Sequence, residues 1–311
     1  MGVILLNVLY WLESIRNPVL DSVMALITKL GEETFFILIA LTVFWCISKK
    51  QGYYLLFVGF VGTILNQFLK LWFRIPRPWV KDPNFTIVES ARAEATGYSF
   101  PSGHTQNAVG TFGGLARSSD KTWIRISSIV ILALVSFSRM YLGVHTPLDV
   151  GVSFIVATVL IFALHPLINL IDRKPNAMYA VIAVMLAIAV SFVLFVELYP
   201  FPADTDAHNL ASGSKNAYTL LGALVGLLVV YIVDSNYLHF ETDAPLWVQI
   251  IKIALGFAGL LIIKAGLKAV LVPLCGGHDV AHAIRYLCIV VFAGIVWPLT
   301  FPLFNKLANK K

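Results

Sequence analysis

Long apolar blocks alternate with short polar breaks along this chain, and the blocks have the length of membrane-crossing helices. Nine can be drawn, at residues 33–48, 53–73, 104–117, 124–143, 147–171, 178–198, 217–234, 247–272 and 285–305. Most approach the roughly 20 residues a helix needs to cross a hydrocarbon core. The third is short and rich in Gly and Thr, so hydropathy alone does not secure it. The expected fold class is all-α, a polytopic transmembrane helical bundle of about nine spans. Residues 3–27 are apolar but interrupted by Asn7, Glu13, Ser14, Arg16, Asn17 and Asp21. Asn7, Ser14, Asp21 and Thr28 recur every seven residues, which gives one helix a polar face. This predicts an N-terminal amphipathic helix lying in the membrane interface, with a tilted span as the alternative.

Composition agrees with a bilayer. Hydrophobic residues make up 58% of the 311 and charged residues 13%, half the roughly 25% usual for soluble proteins. Trp45, Trp72, Trp79, Trp123, Trp247 and Trp297 sit near block ends, where interfacial aromatics gather. The net charge of +6 is not a nucleic-acid signal, because no basic run is interleaved with aromatics. Cys46, Cys275 and Cys288 lack metal-type spacing and read as free thiols.

Alternating the nine spans gathers Lys49, Lys50, Arg117, Lys121, Arg173, Lys174, Lys306, Lys310 and Lys311 on one side. The positive-inside rule makes that side cytoplasmic and turns the other outward. The polar break Asp172-Arg173-Lys174-Pro175 divides an expected core, 1–172, from further transmembrane helices, 173–311, of open role.

Three motifs carry chemistry. The first runs from Lys70 through Arg74, Pro76 and Arg77 to Pro78. Lys70 and Arg74 share a helix face, and the prolines end the helix and restrict where Arg77 can point. Taken alone, it reads as a basic span end with proline stops. The second is Phe100-Pro101-Ser102-Gly103-His104-Thr105, opening the third block. A helix start offers unpaired N–H groups, Gly103 admits an anion close to the backbone, and Ser102 can donate. The bland alternative is that Ser102 only caps the helix. His104 is placed to give a proton to a leaving oxygen. The third runs from Ser138-Arg139 to His145-Thr146-Pro147-Leu148-Asp149. Thr146 as N-cap, Pro147 at the first helical position and Asp149 make a capping box, a structural role without chemistry. Asp149 also lies four residues after His145, where it could accept the imidazole N–H and leave the other nitrogen as a nucleophile.

All three motifs face outward only if 104–117 crosses the membrane, which supports that weak span independently of hydropathy. Together, Lys70, Arg77 and Arg139 with the backbone at Ser102 and Gly103 could neutralise a transferring phosphoryl group without a metal.

The set resembles the type 2 phosphatidic acid phosphatase family, which shares its site with vanadium haloperoxidases. The family signature is Lys, six residues, Arg-Pro; Pro-Ser-Gly-His; and Ser-Arg, five residues, His, three residues, Asp. This sequence carries every element of it. The resemblance implies that His145 attacks phosphorus, Asp149 orients it, and His104 protonates the leaving alkoxide and then activates water. It implies that Lys70, Arg77, Ser102, Gly103 and Arg139 hold the phosphate, with no metal or other cofactor. The family's six-helix core is similar to residues 1–172.

The expected partner is a lipid phosphate entering from the bilayer: phosphatidic acid, phosphatidylglycerophosphate, undecaprenyl diphosphate or a sphingoid base phosphate. Two other classes stand beside hydrolysis. One is a lipid phosphotransferase using the same phosphohistidine. The other is a headgroup transporter or scaffold, which has no use for His145 and Asp149. The expected location is a bacterial inner membrane with the site facing the periplasm or exterior. The oligomeric state is open. Among lesser candidates, Arg74 could meet a second phosphate or a headgroup. His278, Asp279 and His282 have metal-like spacing but read as a solvated loop edge. Lys264 and Lys268 read as snorkelling side chains.

Overall fold

A computed structural model describes residues 2–174 and 176–308, and among these every regular element is helical. The helices are α1 (Gly2–Ser14), α2 (Pro18–Thr28), α3 (Glu33–Cys46) and α4 (Lys49–Phe73). A long loop leads to α5, residues 103–118, followed by α6 (Thr122–Tyr141) and α7 (Pro147–Leu164). Then come α8 (Ala177–Leu198), α9 (Ala207–Val233), α10 (Leu246–Leu274) and α11, which starts as Val280–Val291.

Among the described residues, seven helical stretches are long and apolar enough to cross a membrane: Lys49–Lys81, Thr122–Tyr141, Pro147–Leu170, Ala177–Leu198, Ala207–Leu238, Leu246–Leu274 and Val280–Phe304. The two other blocks expected to span are also helical but shorter, α3 with 14 residues and α5. The weak hydropathy of α5 has a packing cause. Cβ atoms added at Gly113 and Gly114 would come within 2.6 Å of Ile161 and 2.7 Å of Leu55. On α4, a Cβ at Gly62 would stand 2.5 Å from Gln106 of α5. Small residues let spanning helices approach closely, and here they displace the bulky apolar residues that hydropathy counts. A π-helical stretch, Val109–Gly113, interrupts α5 at this contact.

The single N-terminal helix expected over 3–27 is two helices. Asn17 caps α2 by accepting from the Leu20 N–H at 3.1 Å, and Pro18 stands at its first turn. Part of the polar stripe faces protein: Asp21 accepts from the Tyr141 hydroxyl at 2.9 Å, and Thr28 accepts from Arg139. On the apolar side, Leu9 and Leu12 are buried with Phe85, Ile87, Ala91, Tyr141, Leu142 and Val144.

The chain forms two compact units that interleave in sequence. Unit 1 comprises Met1–Ile37, Tyr54–Pro166 and Pro200–Gly213; unit 2 comprises Leu38–Tyr53, Leu167–Tyr199 and Ser214–Lys311. Unit 1 holds all three motifs. Within unit 2, Trp45 Nε1 donates to the Ala293 carbonyl at 2.8 Å, and Lys49 pairs with Asp234 at 2.8 Å. A Cβ at Gly222 of α9 would stand 2.0 Å from the Ala283 carbonyl oxygen, so those two helices pack backbone to backbone.

Candidate active site

The end of α4 delivers the first cations. Lys70 lies in its last turn, 5% exposed, and its Nζ donates to the Tyr98 carbonyl. Arg77 precedes the short turn Pro78–Lys81 and is also buried. Its Nε donates to Gly97 O at 3.2 Å, Nη2 to Thr96 O at 2.7 Å and Nη1 to Val144 O at 2.9 Å. Three consecutive carbonyls, at Thr96, Gly97 and Tyr98, therefore hold both cations. No sequence signal marks that loop apart from Gly97, whose φ of +70° suits glycine. Arg74 turns elsewhere: its Nη1 donates to Leu71 O at 3.1 Å, closing its own helix end.

Ser102 is the N-cap of α5, fully buried, and its Oγ accepts from the Thr105 hydroxyl at 3.0 Å. The structural role weighed for Ser102 is thus present. Gly103 opens the helix, and Asn66 Oδ1 lies 3.7 Å from where its Cβ would be. His104 follows, its Nε2 buried and without a hydrogen-bond partner. It lies within electrostatic reach of Arg139, His145, Arg77 and Lys70.

Arg139, in the last turn of α6, is fully buried. Its Nη1 donates to Thr28 Oγ1 at 2.5 Å, while Nε and Nη2 have no partner. The turn after α6 then reverses the chain. Gly143 adopts φ +82°, and a Cβ there would stand 2.7 Å from Arg16 Nη2. The His145 N–H donates to Arg139 O at 3.3 Å, so the turn fixes His145 relative to Arg139.

His145 is 2% exposed, and its Nε2 lies 2.9 Å from Arg77 Nη1. A guanidinium has only donors, so Nε2 must be the acceptor and the ring proton sits on Nδ1. Nδ1 faces Asp149 Oδ2 at 3.5 Å, a separation too long for a formed hydrogen bond. Burial, and next the positive charge of Arg77, hold the imidazole pKa well below its ordinary 6.5 against the opposing pull of Asp149. The ring is therefore neutral, with its Nε2 lone pair accepting from Arg77.

Asp149 performs the capping-box role and faces His145 at once. Its Oδ2 accepts from the Thr146 N–H at 2.8 Å and from Ser99 Oγ at 2.6 Å. Ser99 was not legible as a site residue, because nothing in its sequence neighbourhood points to a carboxylate fifty positions away. Asn66 was missed too; it is 2% exposed, and both amide atoms lack partners.

With this geometry in place, comparison with known proteins is decisive. The "PAP2 superfamily" model matches residues 51–174, and "PAP2 superfamily phosphatase, transmembrane extension" matches 218–310. Undecaprenyl-diphosphatase BcrC of Bacillus subtilis is 33% identical over 169 residues, 51% of this chain and 83% of its own. The chain belongs to the PAP2 superfamily. It is an integral membrane phosphatase acting on lipid phosphates, with the family's transmembrane extension. Phosphatidylglycerophosphatase B of B. subtilis is 34% identical over 161 residues, 48% of this chain and 75% of its own. A probable sphingosine-1-phosphate phosphatase of Dictyostelium discoideum is 28% identical over 299 residues, 91% of this chain and 68% of its own. No solved structure matches the PAP2 chain described here.

Proposed function

We propose that this PAP2 phosphatase hydrolyses a lipid phosphate monoester or diphosphate through a phosphohistidine on His145, without a metal. One observation carries the reading: His145 Nε2 is an unprotonated, buried acceptor whose opposite nitrogen faces a carboxylate. In this reading a substrate phosphate draws Arg77 from Nε2 onto its own oxygens, with Lys70, Arg139, Ser102 and Gly103 taking the rest. Nε2 then attacks phosphorus, the P–O bond to the lipid breaks, and His104 donates a proton to the departing oxygen. A bound phosphate dianion beside His104 favours the protonated imidazole that this step needs. His104, now neutral, takes a proton from water as that water attacks the phosphohistidine, releasing inorganic phosphate and freeing His145. Asp149 stabilises the positive charge that His145 gains.

The lipid itself is a matter for assay. Relatives aligned over about nine-tenths of the chain are named for sphingosine-1-phosphate, and those aligned over about half are named for undecaprenyl diphosphate, phosphatidylglycerophosphate and sphingoid base phosphates alike. We further place the site on the outward face of the membrane, from the charge asymmetry of the loops.

The test is phosphate release by detergent-purified protein in EDTA from phosphatidic acid, phosphatidylglycerophosphate, undecaprenyl diphosphate and sphingosine 1-phosphate. His145→Asn is run in parallel. EDTA-resistant release that is lost in the variant is expected, with a base-stable, acid-labile phosphoenzyme trapped only in wild type. Undiminished release by His145→Asn would overturn the assignment.

A further inference from the structure

Unit 2 contains a cluster of cations that the phosphatase site does not use. Arg285 on α11 is 4% exposed, and its Nε is buried with no hydrogen-bond partner. Its guanidinium packs 5.0 Å from the Tyr286 ring centroid. One turn before it, His282 also has a buried, unpartnered ring nitrogen, Nδ1. Lys215 of α9 and Lys268 of α10 are exposed, and both lie, with Arg285, within electrostatic reach of His282.

The acidic groups nearby do not balance these charges. Asp279 Oδ2 accepts from Ser214 Oγ at 2.6 Å, and its Oδ1 is 3.9 Å from His282 Nε2. Glu197 Oε1 accepts from the Tyr218 hydroxyl at 3.2 Å. Among the described residues, Arg285, Lys215 and Lys268 form no ion pair. Around His282, Arg285, Lys215 and Lys268 thus face acidic groups that are already engaged by hydroxyls, and such a set repels a metal ion.

Position selects the ligand. Arg285 lies five residues into a spanning helix, about 8 Å from its start at 1.5 Å per residue. An ionisable group inside a span is costly and marks a binding function by default. Arg285 presents a planar fork suited to phosphate oxygens, and the exposed lysines supply point charges around it. Gly222 lets α9 and α11 meet backbone to backbone at Ala283, two residues before the arginine.

We propose that Arg285, with His282, Lys215 and Lys268, binds the phosphate of an anionic bilayer lipid in the transmembrane extension. The lipid is a bound ligand there and is not turned over.

The test uses the full chain in detergent and follows thermal unfolding as phosphatidylglycerol, a diester, is added to the micelles. Phosphatidylcholine and millimolar inorganic phosphate are the comparison arms. Phosphatidylglycerol should raise the transition temperature, and phosphatidylcholine should not. The phosphatidylglycerol needed for half the effect should rise roughly tenfold or more in Arg285→Gln. The double variant Lys215→Gln, Lys268→Gln alters only exposed side chains and decides the matter if Arg285→Gln does not fold. It should weaken the lipid effect while phosphate release stays within about twofold of wild type. An equal phosphatidylglycerol effect in wild type and the double variant would overturn the proposal, as would its absence in wild type. Reproduction of the shift by inorganic phosphate alone would overturn the lipid as its source.

Discussion

Removing one hydroxyl should expose how much the site depends on the orientation of Asp149. Ser99 Oγ donates to Asp149 Oδ2 at 2.6 Å, within the short range of charge-assisted O–H···O⁻ bonds, and Ser99 is 1% exposed. Hydrogen bonds to charged groups contribute about 1.5–3 kcal/mol, and about 1.4 kcal/mol corresponds to tenfold in rate. Ser99→Ala should therefore lower kcat by roughly tenfold to a hundredfold. The lower end is favoured, because the Thr146 N–H still holds the same oxygen at 2.8 Å. KM should stay level, since Ser99 donates to the carboxylate and not to the cations proposed to hold the phosphate. The assay is steady-state phosphate release from the best lipid in the panel. Ser153→Ala is the control: its Oγ donates only to the Asp149 backbone carbonyl, at 3.0 Å. It removes a neutral hydrogen bond on the same helix and leaves the carboxylate alone. A Ser99→Ala enzyme with wild-type kcat, or with raised KM and unchanged kcat, would refute the reasoning.

Three other perturbations have calculable directions. The pKa of His145 is depressed on folding, so below about pH 6.5 the unfolded chain binds a proton that the folded chain refuses. Stability present above that pH is lost as pH falls, by up to about 1.4 kcal/mol per unit. Thermal unfolding from pH 7 to 5 should show this slope, and His145→Asn should reduce it. Gly222→Ala places a Cβ 2.0 Å from a backbone oxygen, whereas Gly266→Ala meets nothing within 4 Å. The first should destabilise by about 1–3 kcal/mol or more and the second should not, read as transition temperatures in one detergent. Equal shifts would remove the packing account. Thr28→Val takes the hydroxyl acceptor from a buried guanidinium that already has two unpartnered nitrogens. The expected cost is about 1.5–3 kcal/mol of stability with a rise in KM, and an unchanged KM would argue against Arg139 as a phosphate ligand.

The motifs were legible because their chemistry is local. Thr146, Pro147 and Asp149 form the capping box that their spacing implies, and the four-residue step from His145 brings ring and carboxylate together. What could not be read arises from tertiary packing. Ser99 meets Asp149, and Thr28 meets Arg139, across long sequence separations that no periodicity encodes. The third block looked weak because its glycines serve helix contact instead of lipid contact. The N-terminal stripe was visible, but Asp21 and Thr28 turn toward α6 and not toward headgroups. The break at Asn17-Pro18 carried a standard start signal that the longer polar period obscured.

Interleaving of the two units has a practical side for anyone dissecting the protein. Trp45 and Lys49 come from the first fifty residues, yet their partners Ala293 and Asp234 lie far along the chain. A gene stopped after residue 174 would strip the indole of its acceptor and leave the ammonium of Lys49 without its carboxylate. The extension is thus no detachable appendage: the α3–α4 hairpin is built to be finished by it, and excision needs compensating changes at Trp45 and Lys49.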